Sequence, residues 1–162
     1  MQVNISKTKV VVFSNKIKHN QHKFYFEGNI LEEVADYKYL EIEFTINLSW
    51  DGCRKKRTLG GWKAFYALQN MGREAKLWDW KTTLTLFWLL MIPVILYGCE
   101  LWANNTTEMQ WRQIEKIQKR LITNKFKIKI AIPYAILLSE TGATPIEAIA
   151  MVRVIRYLKK IE

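Results

Sequence analysis

The segment 82–99, TTLTLFWLLMIPVILYGC, runs for 18 residues without a charge, and it constrains the fold more than any other part of the chain. A run this apolar reaches the lower edge of a membrane span, so it must either cross a bilayer or be covered by protein. Thr82, Thr83 and Thr85 at its start, Pro93 near its centre and the lack of a second such segment favour covering by protein. We therefore expect it to form the central buried helix of a bundle, within a helix over about 77–102. Its kink should fall at Pro93, where the ring removes a backbone donor and crowds the preceding turn. On this reading a membrane is not an expected partner, although residues 82–99 sit at the border of spanning length.

The rest of the bundle is legible from caps and spacing. Ser49 is placed to cap a helix reaching about residue 70, interrupted by Gly60-Gly61, which weakens its middle. Thr107 with Gln110 is a capping-box pair, and Ile114, Ile117 and Leu121 then recur at spacings of three and four, one apolar stripe. Residues 125–132 (KFKIKIAI) alternate in part and read as a short strand or an extended connector. Pro133 starts a short helix that Gly142 stops. Thr144 as cap, Pro145 at the first position and Glu147 at the third open a final helix, whose end collects Arg153, Arg156, Lys159 and Lys160.

Before residue 48 the period is that of strands. Residues 9–14 and 23–26 are β runs, and Glu27-Gly28-Asn29 supplies a turn into residues 30–34. Residues 37–46 alternate, with Lys38, Leu40, Ile42, Phe44 and Ile46 on one side of a single half-buried strand. The expected fold class is α+β: a small antiparallel sheet over 1–48 followed by a helical domain over 49–162.

The net charge is +10 and the isoelectric point about 9.6, which favours an anionic partner. Residues 27–43 hold six carboxylates against Lys38 alone. Residues 51–81 hold eight basic side chains against three acidic ones, and residues 110–129 hold seven against one. A polyanion is therefore expected on the helical part. The alternative is that these helices are simply solvated.

Arg54-Lys55-Lys56-Arg57 is the densest run, but four consecutive residues cover roughly one helical turn, so two at most should meet a given ligand. Trp62, Lys63, Arg73 and Lys76 extend that surface, and Lys116, Lys119 and Arg120 form a second basic group. Trp62, Phe65 and Tyr66 are candidates for stacking on bases. Trp78, Trp80, Trp88 and Trp102 read as core or interface residues. Cys53 and Cys99 lack metal-ligand spacing and read as buried thiols of an intracellular protein. His19 and His22 fall in a polar stretch that suits a turn. No cofactor is expected.

Five stretches occur in an order that resembles the C-terminal part of the reverse transcriptases of non-LTR (LINE-type) retrotransposons. Asn4-Ile5-Ser6-Lys7-Thr8-Lys9 leads into an apolar strand, as the segment after the catalytic strand pair does in that family. Tyr37-Lys38-Tyr39-Leu40-Glu41 is similar to the family's Tyr-Lys-Tyr-Leu-Gly near the primer end. Pro93, Tyr97, Gly98, Glu100 and Trp102 match, in order, its pattern before the thumb. Pro133-Tyr134 through Leu138 with Glu140-Thr141-Gly142, and then Pro145-Ile146-Glu147 with 153–157, resemble the region downstream of the thumb.

The resemblance implies the end of a palm, a thumb and the region downstream of it, with the basic helices holding RNA or an RNA–DNA duplex by its phosphates. It also implies that the metal-binding aspartates lie upstream, because Asp36, Asp51 and Asp79 are isolated. The chain opens at Met1 as though within a larger protein. Glu41 replaces the family's glycine, putting bulk and negative charge near the primer path. The expectation is a non-catalytic RNA-associated domain derived from such an enzyme, within a ribonucleoprotein. The alternatives are a structural subunit with protein partners, and a fragment of an active polymerase whose palm lies elsewhere.

Overall fold

The β-rich start is organised by two-residue turns. The computed structural model describes residues 4–13, 23–75, 79–129 and 131–161; the turn expected at His19 and His22 lies outside the described residues, as do Lys76 and Trp78. The chain divides into two units, residues 1–53 and 54–162.

In the first unit a 3-10 turn (Ile5–Lys7) precedes β1 (Lys9–Val10), β2 (Phe24–Phe26) and β3 (Asn29–Glu33). The strand order is β1-β3-β2, with β2 antiparallel to β3 and β1 parallel to it. The β2–β3 turn is Glu27-Gly28, at φ 47° and 77°, the type I′ geometry that matches the twist of a hairpin. A second antiparallel hairpin pairs β4 (Asp36–Tyr39) with β5 (Ile42–Thr45).

That second hairpin corrects the single strand expected over 37–46. Leu40 and Glu41 take φ 46° and 64°, so the chain reverses there through another I′-type turn. The register pairs Tyr37 with Phe44, Tyr39 with Ile42, Asp36 with Thr45 and Lys38 with Glu43. Directly paired residues share a face, so the hairpin gathers four apolar side chains on one side and four polar ones on the other. A straight strand would have put Lys38 beside Leu40 and Ile42. Phe44 meets Trp50 edge to face, with centroids 5.7 Å apart.

The second unit is a helical bundle, so the α+β architecture stands. α1 (Asp51–Ala75) starts in the first unit and runs without a break. Gly60 and Gly61 do not interrupt it, contrary to expectation. A Cβ on Gly61 would lie 2.7 Å from both Ile117 Cδ1 and Ile95 Cγ1. The glycine is therefore where α1 closes on two other elements, and packing outweighs its poor helix propensity.

The uncharged segment forms α2 (Trp80–Leu86), a π turn (Phe87–Met91), α3 (Ile92–Ile95) and α4 (Cys99–Trp102), which runs into a 3-10 turn (Ala103–Asn105). The Ile92 N–H reaches the Phe87 carbonyl five residues back, and this widened turn admits Pro93. The 60° bend lies instead between Trp80–Ile95 and Cys99–Asn105, at a left-handed Gly98 (φ 65°), which corrects the kink expected at Pro93. Burial is also one-sided. Phe87, Met91, Ile92, Ile95, Leu96 and Cys99 are core, whereas Trp88, Leu89, Leu90, Val94 and Tyr97 are exposed. Among the described residues no single helix is long and apolar enough to cross a membrane.

α5 (Glu108–Phe126) begins with both bonds of the Thr107–Gln110 capping box and buries Ile114, Ile117 and Leu121 as expected. It continues to Phe126 and stops at a left-handed Lys127, so the described part of 125–132 contains no strand. α6 (Tyr134–Thr141) ends at Gly142. α7 (Ile146–Leu158) starts one residue later than expected: Pro145, extended at ψ 145°, is its N-cap, and neither it nor Thr144 supplies a side-chain cap. Ile122, Leu137 and Ala143 form a small apolar cluster beneath Trp80 and Leu84. Cys53 and Cys99 are both buried, as expected.

Candidate nucleic-acid interface

The helical repeat of α1 decides which of its basic residues reach solvent. Gly61 points into the bundle, so residues about half a turn away point out. Lys55, Lys56, Leu59, Lys63 and Tyr66 are all exposed, with Tyr66 at 62%. They form one basic stripe that ends in an aromatic ring.

The two arginines of the run have other work. Arg54 is only 9% exposed, and its Nη1 donates to the Asn105 carbonyl at 3.2 Å. Arg57 lies 4.5 Å over the Tyr97 ring, a cation–π contact that ties α1 to the turn after α3. The four-residue run thus splits into two inward and two outward residues, as the helical repeat requires.

The aromatic candidates split in the same way. Phe65 is core, Trp62 is half-buried, and Tyr66 alone of the three is open. Their rings touch one another, with Trp62–Phe65 centroids 5.6 Å apart and Phe65–Tyr66 centroids 5.2 Å apart. Tyr66 is therefore braced from beneath. Of the expected core tryptophans, Trp102 is buried, Trp80 is half-buried and Trp88 is exposed. Arg73 lies in α1.

The second basic group sits on α5. Lys116 and Arg120 are exposed and Lys119 is half-buried. Lys116 and Lys119 border a cavity of about 500 Å³ together with Trp111, Glu115, Tyr134 and Glu147.

Behind that cavity lies a polar knot that the sequence reading missed. Gln118, 1% exposed, donates through Nε2 to the Thr144 carbonyl at 2.9 Å. It accepts at Oε1 from the Tyr134 hydroxyl at 2.6 Å. The Glu115 carboxyl meets the Glu147 backbone N–H, and the Tyr134 oxygen meets that of Ile146. Side chains of α5 and α6 thus serve the first turn of α7, whose own cap offers nothing.

Burial pushes the Glu115 carboxyl up to about 7; the Glu147 N–H works against that shift and the Glu147 charge adds to it. Burial raises the Tyr134 hydroxyl as well, and Glu115 contributes. The available signal was a glutamine inside the apolar stripe of α5, because a buried amide needs partners.

The isolated aspartates have structural surroundings. Asp79 caps α2, accepting the Thr82 N–H at 2.7 Å; the Thr82 hydroxyl, and after it that N–H, hold its carboxyl below the usual carboxylate value. Asp36 lies in β4 and Asp51 in the first turn of α1. Among the described residues no three His, Cys, Asp or Glu side chains converge as metal ligands. No family model matches the chain, and no curated protein or solved structure shows significant similarity to it.

Proposed function

We propose that this chain is a non-catalytic RNA-associated domain derived from a LINE-type reverse transcriptase, acting within a ribonucleoprotein. One observation carries the reading: Lys55, Lys56 and Lys63 share an exposed face of α1 with Tyr66. Amines on that stripe neutralise phosphates without reading sequence, and an exposed braced ring offers a base a stacking surface. Arg54 and Arg57 hold α1 in place, so the stripe sits on a fixed support. The ordered resemblance supports the origin. It is also compatible with a fragment of a polymerase whose palm lies elsewhere, and primer extension by this chain alone then gives no product.

Filter binding to structured RNA across a salt series tests the proposal. Three phosphate contacts predict that log K falls with log[salt] at a slope of about −2 to −3. Lys55→Glu with Lys56→Glu and Lys63→Glu should abolish that dependence together with most of the affinity. Absence of binding at low salt, or binding indifferent to salt, sinks the reading.

A structural role with protein partners has its own support in the first unit, where Tyr25, Ile30, Tyr39 and Leu40 are exposed among carboxylates. A protein that aggregates alone but becomes ordered with an RNA-free protein partner would establish that role instead.

A further inference from the structure

α7 outgrows the core it packs on. Val154 is its last buried residue, and every residue from 155 to 161 is exposed. Val152, Ile155, Leu158 and Ile161 recur at every third position and are 47%, 52%, 50% and 64% exposed. Side chains three apart are neighbours on a helix, and the helical bonding continues past Leu158 through Ile161 N–H to the Leu158 carbonyl at 3.0 Å. Each step of three turns back by about 60° on an α-helix, so Ile155, Leu158 and Ile161 form a row on one side of it, and Val152 faces away from Ile161. Arg156, Lys159 and Lys160 lie beside the row. No carboxylate occurs between residues 148 and 161 of the helix itself, and among the described residues Glu100 is the one carboxylate that shares a cavity with Arg153, Arg156 and Lys160.

This surface differs in kind from the α1 stripe. Bases stack on aromatic planes and phosphates bind cations, so RNA has no use for a row of half-exposed aliphatics. A helix with an apolar row and a neighbouring basic flank suits the plane of an anionic membrane interface. Tyr134–Thr141 and Ile146–Leu158 together have the length and hydropathy of a membrane segment, yet they are bent by 75°. That elbow is incompatible with one straight crossing but not with a helix lying along a surface.

We propose that the C-terminal turns of α7 dock on an anionic lipid surface, with the aliphatic row in the acyl boundary and Arg156, Lys159 and Lys160 against the headgroups. The proposal uses none of the α1 residues, so it stands or falls apart from the RNA reading.

Co-sedimentation of the full chain with phosphatidylserine–phosphatidylcholine vesicles, and with phosphatidylcholine vesicles alone, provides the test. The wild type should partition strongly onto the mixed vesicles and weakly onto the neutral ones. Ile155→Ser with Leu158→Ser should lower partitioning onto mixed vesicles about tenfold or more, given the apolar area withdrawn from the lipid. Lys159→Glu with Lys160→Glu should lower it by a similar factor, since each juxtamembrane cation contributes to attraction. All four side chains are exposed, so circular dichroism should show an unchanged fold.

Failure of the wild type to bind mixed vesicles overturns the proposal, as does equal binding to neutral ones. So does a serine variant that binds like the wild type while the glutamate variant does not, because charge alone then explains the attraction. Loss of RNA binding in the serine variant without any vesicle binding would assign the row to RNA instead.

Discussion

The two units reach order by different means. Among the described residues of the first unit only Ile42, Trp50 and Cys53 are buried apolar side chains. Its shape depends on backbone turns and on the sorting of faces within hairpins. The second unit buries a continuous set from α1, α3, α5 and α7, and its geometry depends on side-chain volume. A change of backbone preference should therefore dominate in the first unit, and a change of volume in the second.

The sharpest break of that contrast lies at the α1–α5 crossing. Ile117→Ala removes a fully buried side chain and should cost about 2–5 kcal/mol, read by denaturant unfolding with far-ultraviolet dichroism. Gly61→Ala inserts a methyl where 2.7 Å is available to Ile117 and Ile95 and should cost about 1–3 kcal/mol. The two substitutions should not add, because truncating Ile117 opens part of the space the new methyl needs. Gly60→Ala is the control. Its Cβ would meet only the exposed Val94 Cγ1 at 3.1 Å, and the gain in helix propensity offsets that crowding. Equal losses at residues 60 and 61 would show that close approach is not what Gly61 provides.

In the first unit the corresponding lever is a turn residue with no core role. Glu41 holds φ 64°, a conformation that strains a side-chain-bearing residue by about 1 kcal/mol and that glycine adopts freely. Glu41→Gly should stabilise the hairpin by a little under that amount. The Lys38–Glu41 ion pair it removes is more than half exposed at the glutamate and contributes little. Protection of the β4–β5 amides from hydrogen exchange reads the change, and no gain would place the strain elsewhere.

Legibility from sequence divides along the same line. The α5 stripe, its capping box and the split of the basic run were all legible, because each depends on helical spacing within one segment. The hairpin at 40–41 was not, since Leu-Glu carries no turn signal. Only the poor sorting of Lys38 with Leu40 and Ile42 argued against one long strand. Gly61 was misread for a related reason: propensity is local, whereas the space it leaves is filled by Ile95 and Ile117 from distant positions. The knot around Gln118 joins residues from three helices, and a single sequence shows only that a glutamine interrupts an apolar stripe.

That knot yields the prediction with a distinctive pH signature. Glu115 ordinarily ionises near 4.5 and is pushed up to about 7 by burial in the folded chain. Between those values the folded state retains a proton that the unfolded state has released, so stability falls as pH rises through that window and levels off above it. Glu115→Gln keeps an acceptor for the Glu147 N–H and removes the charge. The variant should therefore be more stable than the wild type at pH 8, with the gap closing as pH falls toward 4.5. The difference between the unfolding midpoints of the two proteins therefore reports Glu115 together with its coupling to Glu147. A gap that stays constant across the window would mean that the carboxyl is solvated, and that α7 is held at its first turn by Gln118 and Tyr134 alone.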